Sequence, residues 1–579
     1  MEYPRKGTYD VSIVICGEAG QGIQTVEKLL VNILKRGGYH VFSTKEYMSR
    51  VRGGSNSTTI RVSDRPIRSF VKRIDILIPL SKQAVDHVGW RLDEDTGVLF
   101  DEDLAGTFPE GYGLEPERVS FLSKAKDIGN KVYTNIVAAG MITRLFGVEK
   151  EVSKSFLEQT FSDKSEKVVN ENVEALSAGY DLCGDLIEKG SLSVDLKPNE
   201  DVKEDYLIKG IEGVAYGAVA GGCDFISSYP MSPSTGVLVQ LANLQKRFAI
   251  IAEQAEDEIS AINMAIGAWY AGGRGMVTTS GGGLALMTEG ISLSGMLETP
   301  AVIHLAQRPG PATGLPTRTE QGDLLMTLFA GHGDFPRAIY APGNIEQAFD
   351  LTRHAFNIAD KYQSPAFVLT DQFLVDSFYN VKELDLKGEK ISSNIIESDA
   401  DYVRYEDTES GISPRAIPGY GEGLVSVDSD EHDQEGHITE DLQQRISMVN
   451  KRMRKNKGLT EESIPPGIIG PKNAGKKVIC WGSNYHPVKE AVERLGMDDT
   501  AVVHFSQVYP LHADSKDILE NADLLIGVEN NATGQFCDLL KLELGIDVEK
   551  RILKYNGLPF HQEELVERLG EILGSGGDE

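Results

Sequence analysis

Cysteine is sparse and poorly spaced for chemistry. The five cysteines, at positions 16, 183, 223, 480 and 537, form no C-x-x-C pair. That excludes a disulfide framework, a zinc site and an iron–sulfur cluster held by this chain alone. Basic residues are also in deficit: 58 Lys and Arg face 87 Asp and Glu, a formal charge of −29. A nucleic-acid binder needs a phosphate-neutralising surface, so no DNA or RNA partner is expected. No apolar run approaches the roughly 18 residues that span a bilayer, and "MEYPRKGTYD" lacks the charged and apolar regions of a signal peptide. These absences predict a cytoplasmic protein without membrane insertion. The dinucleotide fingerprint G-x-G-x-x-G is absent too, and Ser43 or Thr44 stands where that motif wants an acidic residue. This disfavours a nicotinamide-dependent dehydrogenase.

What is present is ordinary for a globular chain: 41% hydrophobic and 25% charged residues over 579 positions, enough for several cores. Alternating strand and helix patterns predict an α/β protein of three domains. A first region, 1–190, opens with strand, Gly-rich turn, amphipathic helix and strand. A polar, helix-breaking stretch at 191–206 reads as a linker. A second region, 207–385, carries predicted helices at 208–220, 256–270, 284–295 and 345–361, with strands at 223–227, 274–279, 300–306 and 365–370. The acidic segment 386–474 holds one good helix and reads as an extended connection or a flexible loop. A third small α/β region, 475–579, closes the chain.

Five motifs bear on chemistry. "GEAGQGIQ" (17–24) lies at a strand-to-helix turn, either an anion cradle or a structural tight turn. "SRVRGGSN" (49–56) places Arg50 and Arg52 beside glycines, suited to an anionic cofactor or to solvent. In "SSYPMSPSTG" (227–236), Pro230 and Pro233 restrict the backbone around Ser232 at the end of a strand, where α/β sheets bind ligands. The alternative is a rigid turn that caps the next helix. Fourth, a buried strand delivers Arg308, followed by Thr313 and Thr317 in a Pro/Gly loop. Arg suits a carboxylate or phosphate, or else pairs with Glu320 or Asp323. His304, within that strand, reads as a core histidine. In "EQAEDEISAINMAIGA", Glu256, Ser260, Asn263 and Gly267 fall on one helical face, a polar strip that suggests a ligand.

Taken together, "YPMSPST", "EQAEDEISAINMAIGA", "TSGGGLALMTEG", "QRPGPATGLPT" and "GVENNATGQF" resemble the α subunit of the 2-oxoacid:ferredoxin oxidoreductases, thiamine-diphosphate enzymes of the pyruvate:ferredoxin oxidoreductase superfamily. "GEAGQGIQ…SRVRGGSN" resembles their γ domain, here fused to the N-terminus. The resemblance spans nearly the whole chain. It implies a γ domain, a thiamine-diphosphate pyrimidine-binding domain and a C-terminal transketolase-like domain.

By the same resemblance, Ser232 takes the hydroxyl position of the family's Y-P-I-T-P motif, with Met231 in place of isoleucine. Glu256 is the glutamate that bonds N1′ of the aminopyrimidine, Pro233 lies against the cofactor, Arg308 and Thr317 stand near the substrate carboxylate, and Arg50 and Arg52 near coenzyme A. The G-D-G…N-N signature that binds diphosphate and Mg2+ is missing, as are cysteines for a cluster. A β subunit is therefore expected to supply Mg2+, the [4Fe–4S] cluster and half of the thiamine site, in an αβ pair commonly doubled. The implied reaction is coenzyme A-dependent oxidative decarboxylation of 2-oxoglutarate to succinyl-CoA and CO2, with electrons passed to ferredoxin. Pyruvate or a broad range of 2-oxoacids is the alternative substrate, and a non-catalytic scaffold subunit the alternative of another class.

Overall fold

The computed structural model describes residues 2–18, 21–48, 54–104 and 108–574. The chain divides into two compact units, one formed by Met1–Lys209 with Asp376–Glu383 and the other by Gly210–Val375 with Leu384–Glu579.

The first unit is built on an eight-stranded mixed sheet. Its strands run in the order Glu117–Val119, Gly97–Asp101, Ile76–Pro79, Asp10–Glu18, Ser55–Ser63, His40–Glu46, Phe378–Val381 and Tyr206–Lys209. The helix Ile23–Arg36 buries Val26, Leu29, Leu30, Ile33 and Leu34, the 3.6-residue stripe visible in the sequence. Two further long helices, Thr134–Leu145 and Glu166–Glu188, join the same core. At the other end of the first long strand, buried Asp10 receives Arg61 and Arg73, each at 2.8 Å.

The second unit contains two sheets. The larger runs Ile251–Gln254, Phe225–Ser228, Gly275–Thr279, Ala301–Gln307, Pro365–Asp371, Ala338–Tyr340 and Gln507–Tyr509, parallel throughout except for the last strand. The smaller runs Gly467–Ile469, Thr500–Phe505, Lys476–Trp481, Leu524–Glu529 and Lys550–Leu553. The two share one core, in which Ile262, Leu284 and Phe367 lie in the same apolar cluster as Trp481, Phe505 and Phe536. The C-terminal α/β layer is thus continuous with the preceding one in burial as well as in chain.

The four predicted strands of residues 207–385 are all present. The helix expected from 256 is shorter. It spans Glu258–Tyr270, because residues 251–254 pair in register with 225–228 as the edge strand. The segment 386–461 has little regular structure until the helix Leu442–Glu461, yet it is tied down by buried charge. Arg415 and Arg274 both bind Asp360, at 2.6 and 2.7 Å. Lys451 and Lys455 converge on Glu298, which is fully buried with them.

Candidate active site

Parallel pairing puts the carboxyl ends of Phe225–Ser228, Gly275–Thr279 and Ala301–Gln307 on one edge of the larger sheet, where ligands of α/β sheets bind. Each strand end delivers one piece of the site. Ser228 leads into the loop that carries Ser232, Thr279 leads into the helix Gly281–Met296, and Gln307 is followed by Arg308.

The Ser232 loop and Arg308 meet. Arg308 Nη1 donates to the carbonyl of Ser232 at 2.6 Å, and Nη2 lies 3.4 Å from the sulfur of Met231. These contacts leave other guanidinium N–H groups uncommitted while the residue is only 8% exposed. Arg308 forms no ion pair with Glu320 or Asp323 among the described contacts; burial, rather than partnership, lowers its pKa, with Asp323 and then Glu258 opposing. Ser232 itself is exposed, Pro233 is buried behind it, and Thr317 is half-buried. His304 is a core residue: its ring nitrogens lie 2.7 Å from Thr278 Oγ1 and 2.9 Å from Thr370 Oγ1, and burial drives its pKa down to about 3.

The acidic cluster is arranged differently from the sequence reading. Glu256 is exposed and precedes the helix, so it belongs to no polar helical strip with Ser260 and Asn263. Asp257 is the N-cap, its side chain accepting the Ser260 N–H at 2.7 Å. Glu258, the first helical residue, turns inward with Ala261, Ile262, Ala265, Ile266 and Trp269. It is 2% exposed, and its Oε1 is buried without a hydrogen-bond partner. Burial pushes its pKa up; neighbouring Asp257 adds to the rise and Arg308 opposes it. The opposite wall is Gly283, whose missing side chain makes room: a Cβ there would fall 2.7 Å from Oε1 of Glu258 and 2.0 Å from Oγ1 of Thr279. Ser280 Oγ, at the start of the same helix, is also buried and unpartnered. The helical period through Ile262, Ile266 and Trp269 leads back to position 258 and was the available signal for it.

Two more carboxyls, read from the sequence only as ion-pair partners for Arg308, border the site. Gln307 Oε1 accepts the N–H of Asp323 at 3.0 Å. Asp323 does not cap its own short helix; its carboxyl stands where a Cβ on Gly281 would be 2.5 Å away, and its Oδ2 is unpartnered. Glu320 lies on the same loop. Gln321, fully buried between them, locks that loop: it bonds the Trp481 carbonyl at 3.0 Å, the Asn484 amide at 2.7 Å and the Asn530 N–H at 3.2 Å. Asn531 and Gln535, from "GVENNATGQF", bond the carbonyls of Gln321 and Gly322 at 3.2 and 2.7 Å.

In the first unit, the strand-to-helix turn opens on a cavity of about 340 Å3 lined by Glu18, Gly22, Thr25, Lys45, Tyr47 and Asn56 among others. Helix Ile23–Arg36 starts there without a side-chain cap. Arg50 and Arg52 lie outside the described residues. Among the described residues no group of three or more His, Cys, Asp and Glu is placed to hold a metal ion, and no helix is long and apolar enough to cross a membrane.

The family model of the thiamine diphosphate-binding region of pyruvate flavodoxin/ferredoxin oxidoreductases matches residues 216–451, and the pyruvate ferredoxin/flavodoxin oxidoreductase model matches residues 12–182. A 2-oxoacid:ferredoxin oxidoreductase subunit alpha from a Sulfolobus species is 32% identical, with 98% of this chain and 97% of that protein aligned. The 2-oxoglutarate oxidoreductase subunit KorA of Mycobacterium tuberculosis is 27% identical over 97% and 91%. Among solved structures, the 2-oxoglutarate:ferredoxin oxidoreductase of Magnetococcus marinus, with 2-oxoglutarate, coenzyme A and succinyl-CoA bound, superposes with a TM-score of 0.90 at 28% identity, covering 97% of this chain and 99% of that one. Matched end to end by such relatives, and over residues 216–451 by the thiamine diphosphate-binding model, the chain belongs to the 2-oxoacid:ferredoxin oxidoreductase alpha-subunit family.

Proposed function

We propose that this chain is the γ–α subunit of an enzyme that oxidatively decarboxylates 2-oxoglutarate to succinyl-CoA and CO2, with coenzyme A as acyl acceptor and ferredoxin as electron acceptor. The observation that carries the reading is the partnerless, buried Oε1 of Glu258, at the same sheet edge as Arg308. The relatives named for 2-oxoglutarate and the Magnetococcus marinus complex favour this substrate. The Sulfolobus relative, named for 2-oxoacids at large, favours the second reading, a broad 2-oxoacid range.

The site fits the pyrimidine end of thiamine diphosphate. An orphaned buried carboxyl faces a cradle that a Cβ at position 283 would fill. Glu258 therefore replaces Glu256 as the residue assigned to the ring nitrogen N1′, with Pro233 and Gly283 as walls. Thiamine diphosphate, when bound, supplies the carbon nucleophile and the electron sink for decarboxylation. Glu258 holds a proton at Oε1 toward the ring, a task that suits a carboxyl whose pKa is raised by burial. Arg308 takes the 2-oxoacid carboxylate with its free N–H groups, and Ser232 and Thr317 add hydroxyl donors.

A β subunit completes the pocket, supplying Mg2+, the diphosphate site and the [4Fe–4S] cluster in an αβ pair, doubled to α2β2. Ile259, Met264 and Leu286 stand exposed on the two helices that start at the site, an apolar surface suited to that docking. The cavity at the strand-to-helix turn of the first unit is offered to coenzyme A; Arg50 and Arg52, outside the described residues, keep the same proposed role. Transfer of electrons to ferredoxin supports a cytoplasmic location.

The test is copurification with the β subunit and assay against 2-oxoglutarate, pyruvate and branched 2-oxoacids, with coenzyme A and a viologen. Highest kcat/KM for 2-oxoglutarate is expected. Comparable values across the panel establish the broad reading, and no 2-oxoacid activity with a loaded, intact complex defeats both.

A further inference from the structure

One guanidinium answers to two carboxyls. The charges of Asp323 and, less strongly, Glu258 reach Arg308, and neither carboxyl forms an ion pair with it among the described contacts. Asp257 backs Glu258 on the helix, and Glu320 backs Asp323 on the loop. Among the described residues the other neighbours of this loop are uncharged, Gly281 at a helix start, Gln307 at the strand end and Gln535 beyond the loop, and Arg308 is the charge that acts on Asp323. The backbone of Asp323 is held by Gln307, the residue before Arg308, and its loop is locked through Gln321. Asp323 cannot retreat when a further negative charge arrives.

We propose that Asp323 is a positioning residue for Arg308, and that binding of a 2-oxoacid carboxylate is coupled to uptake of one proton by the Asp323–Glu320 pair. This rests on the reading that Arg308 takes the substrate carboxylate. A substrate carboxylate engages the guanidinium that otherwise offsets Asp323, inside a poorly solvated pocket where like charges repel strongly. The lowest-cost response is to protonate the carboxyl already nearest neutrality. Burial raises Asp323 to about 6 despite Arg308, and burial with the Asp323 charge raises Glu320 to about 7. The Asp323 charge reaches Glu320, so ionisation of one disfavours ionisation of the other. As pH rises through these values the free site ionises, binding must then recapture a proton, and affinity falls.

The experiment uses the thiamine-loaded αβ complex. Calorimetric titration with 2-oxoglutarate, without coenzyme A or electron acceptor, in buffers of different ionisation enthalpy near pH 7.5 should show uptake of about one proton per site. KM should rise by up to about tenfold per pH unit above about 7. Asp323→Asn should flatten that rise, and Glu320→Gln should move its midpoint to lower pH by removing a negative neighbour. No proton uptake by the unaltered complex overturns the coupling, as does a slope unchanged in Asp323→Asn. If that variant fails to fold, the proton count and Glu320→Gln still decide. Arg308→Gln separates the layers. An unchanged KM there defeats the Arg308 reading itself, whereas a raised KM without proton uptake in the unaltered complex defeats only the coupling.

Discussion

Oε1 of Glu258 lies 2.7 Å from where a Cβ on Gly283 would stand. The helices that begin at 258 and 281 therefore converge on one point only because residue 283 has no side chain. Gly283→Ala should push Glu258 or Thr279 out of place and cost about 1–3 kcal/mol of stability. Denaturant unfolding reads the cost, and thiamine diphosphate affinity should fall in the same variant. An alanine accepted without change in either measurement would remove the cradle.

The two neighbouring glutamates separate by burial. Glu258→Gln should lower kcat by about 10²- to 10⁴-fold, the usual range for a positioned acid–base group, while stability changes little because the amide keeps the volume of the carboxyl. Glu256→Gln, at an exposed position ahead of the helix, should stay within about 0.5 kcal/mol in stability and near normal in rate. The opposite pattern would return the role to Glu256.

Much of this site is legible in the sequence. The Pro-Met-Ser-Pro loop and Arg308 are read from strand ends and do meet, because parallel strands bring their carboxyl ends to one edge. The two-residue shift of the proposed assignment, from Glu256 to Glu258, has a simple origin. Several carboxylates crowd a helix start, and composition alone does not say which one caps, which one faces water and which one turns inward. The cap is settled by Asp257 reaching the Ser260 N–H, and the inward face by the buried period from Ile262 to Trp269. The edge strand Ile251–Gln254 was hidden because its apolar residues run straight into that acidic stretch. Gln507–Tyr509 crosses into the larger sheet through an antiparallel pairing with Ala338–Tyr340, a long-range event that local periodicity does not encode. The importance of Gln321 is also invisible locally, since its partners come from residues 481, 484 and 530.

Gln321→Leu tests that lock. The substitution keeps the volume but strands the Asn484 amide, the Asn530 N–H and the Trp481 carbonyl in a buried place, at a cost of roughly 1–3 kcal/mol for each unsatisfied group. A fall in melting temperature with a rise in 2-oxoacid KM is expected, since the loop bearing Thr317, Glu320 and Asp323 loses its anchor. Loss of stability with an unaltered KM would make the lock structural only.

Acid sensitivity of the first unit should trace to Asp10. Burial would raise this carboxyl, but Arg61 and Arg73 outweigh it and bring it down to about 2. An unfolded aspartate titrates near 3.9, so the stabilisation, about 2–3 kcal/mol, is complete above that value and lost as pH falls toward 2. Asp10→Asn should destabilise the unit already at pH 7, because Arg61 and Arg73 both lose a buried carboxylate, Arg73 retaining Asp75 at 3.1 Å, and should weaken its dependence on pH below 4. Hydrogen exchange resolved to residues 10–18 and 55–63 measures both effects.

The strand Phe378–Val381 lies inside the first unit's sheet, between His40–Glu46 and Tyr206–Lys209, although the chain builds Gly210–Val375 of the other unit before reaching it. A ribosome therefore releases the N-terminal sheet one strand short and leaves it waiting until Gly210–Val375 of the second unit has been translated. Severing the polypeptide after residue 209 would give a fragment with a slot where an interior strand belongs, open to any extended peptide that can fill it.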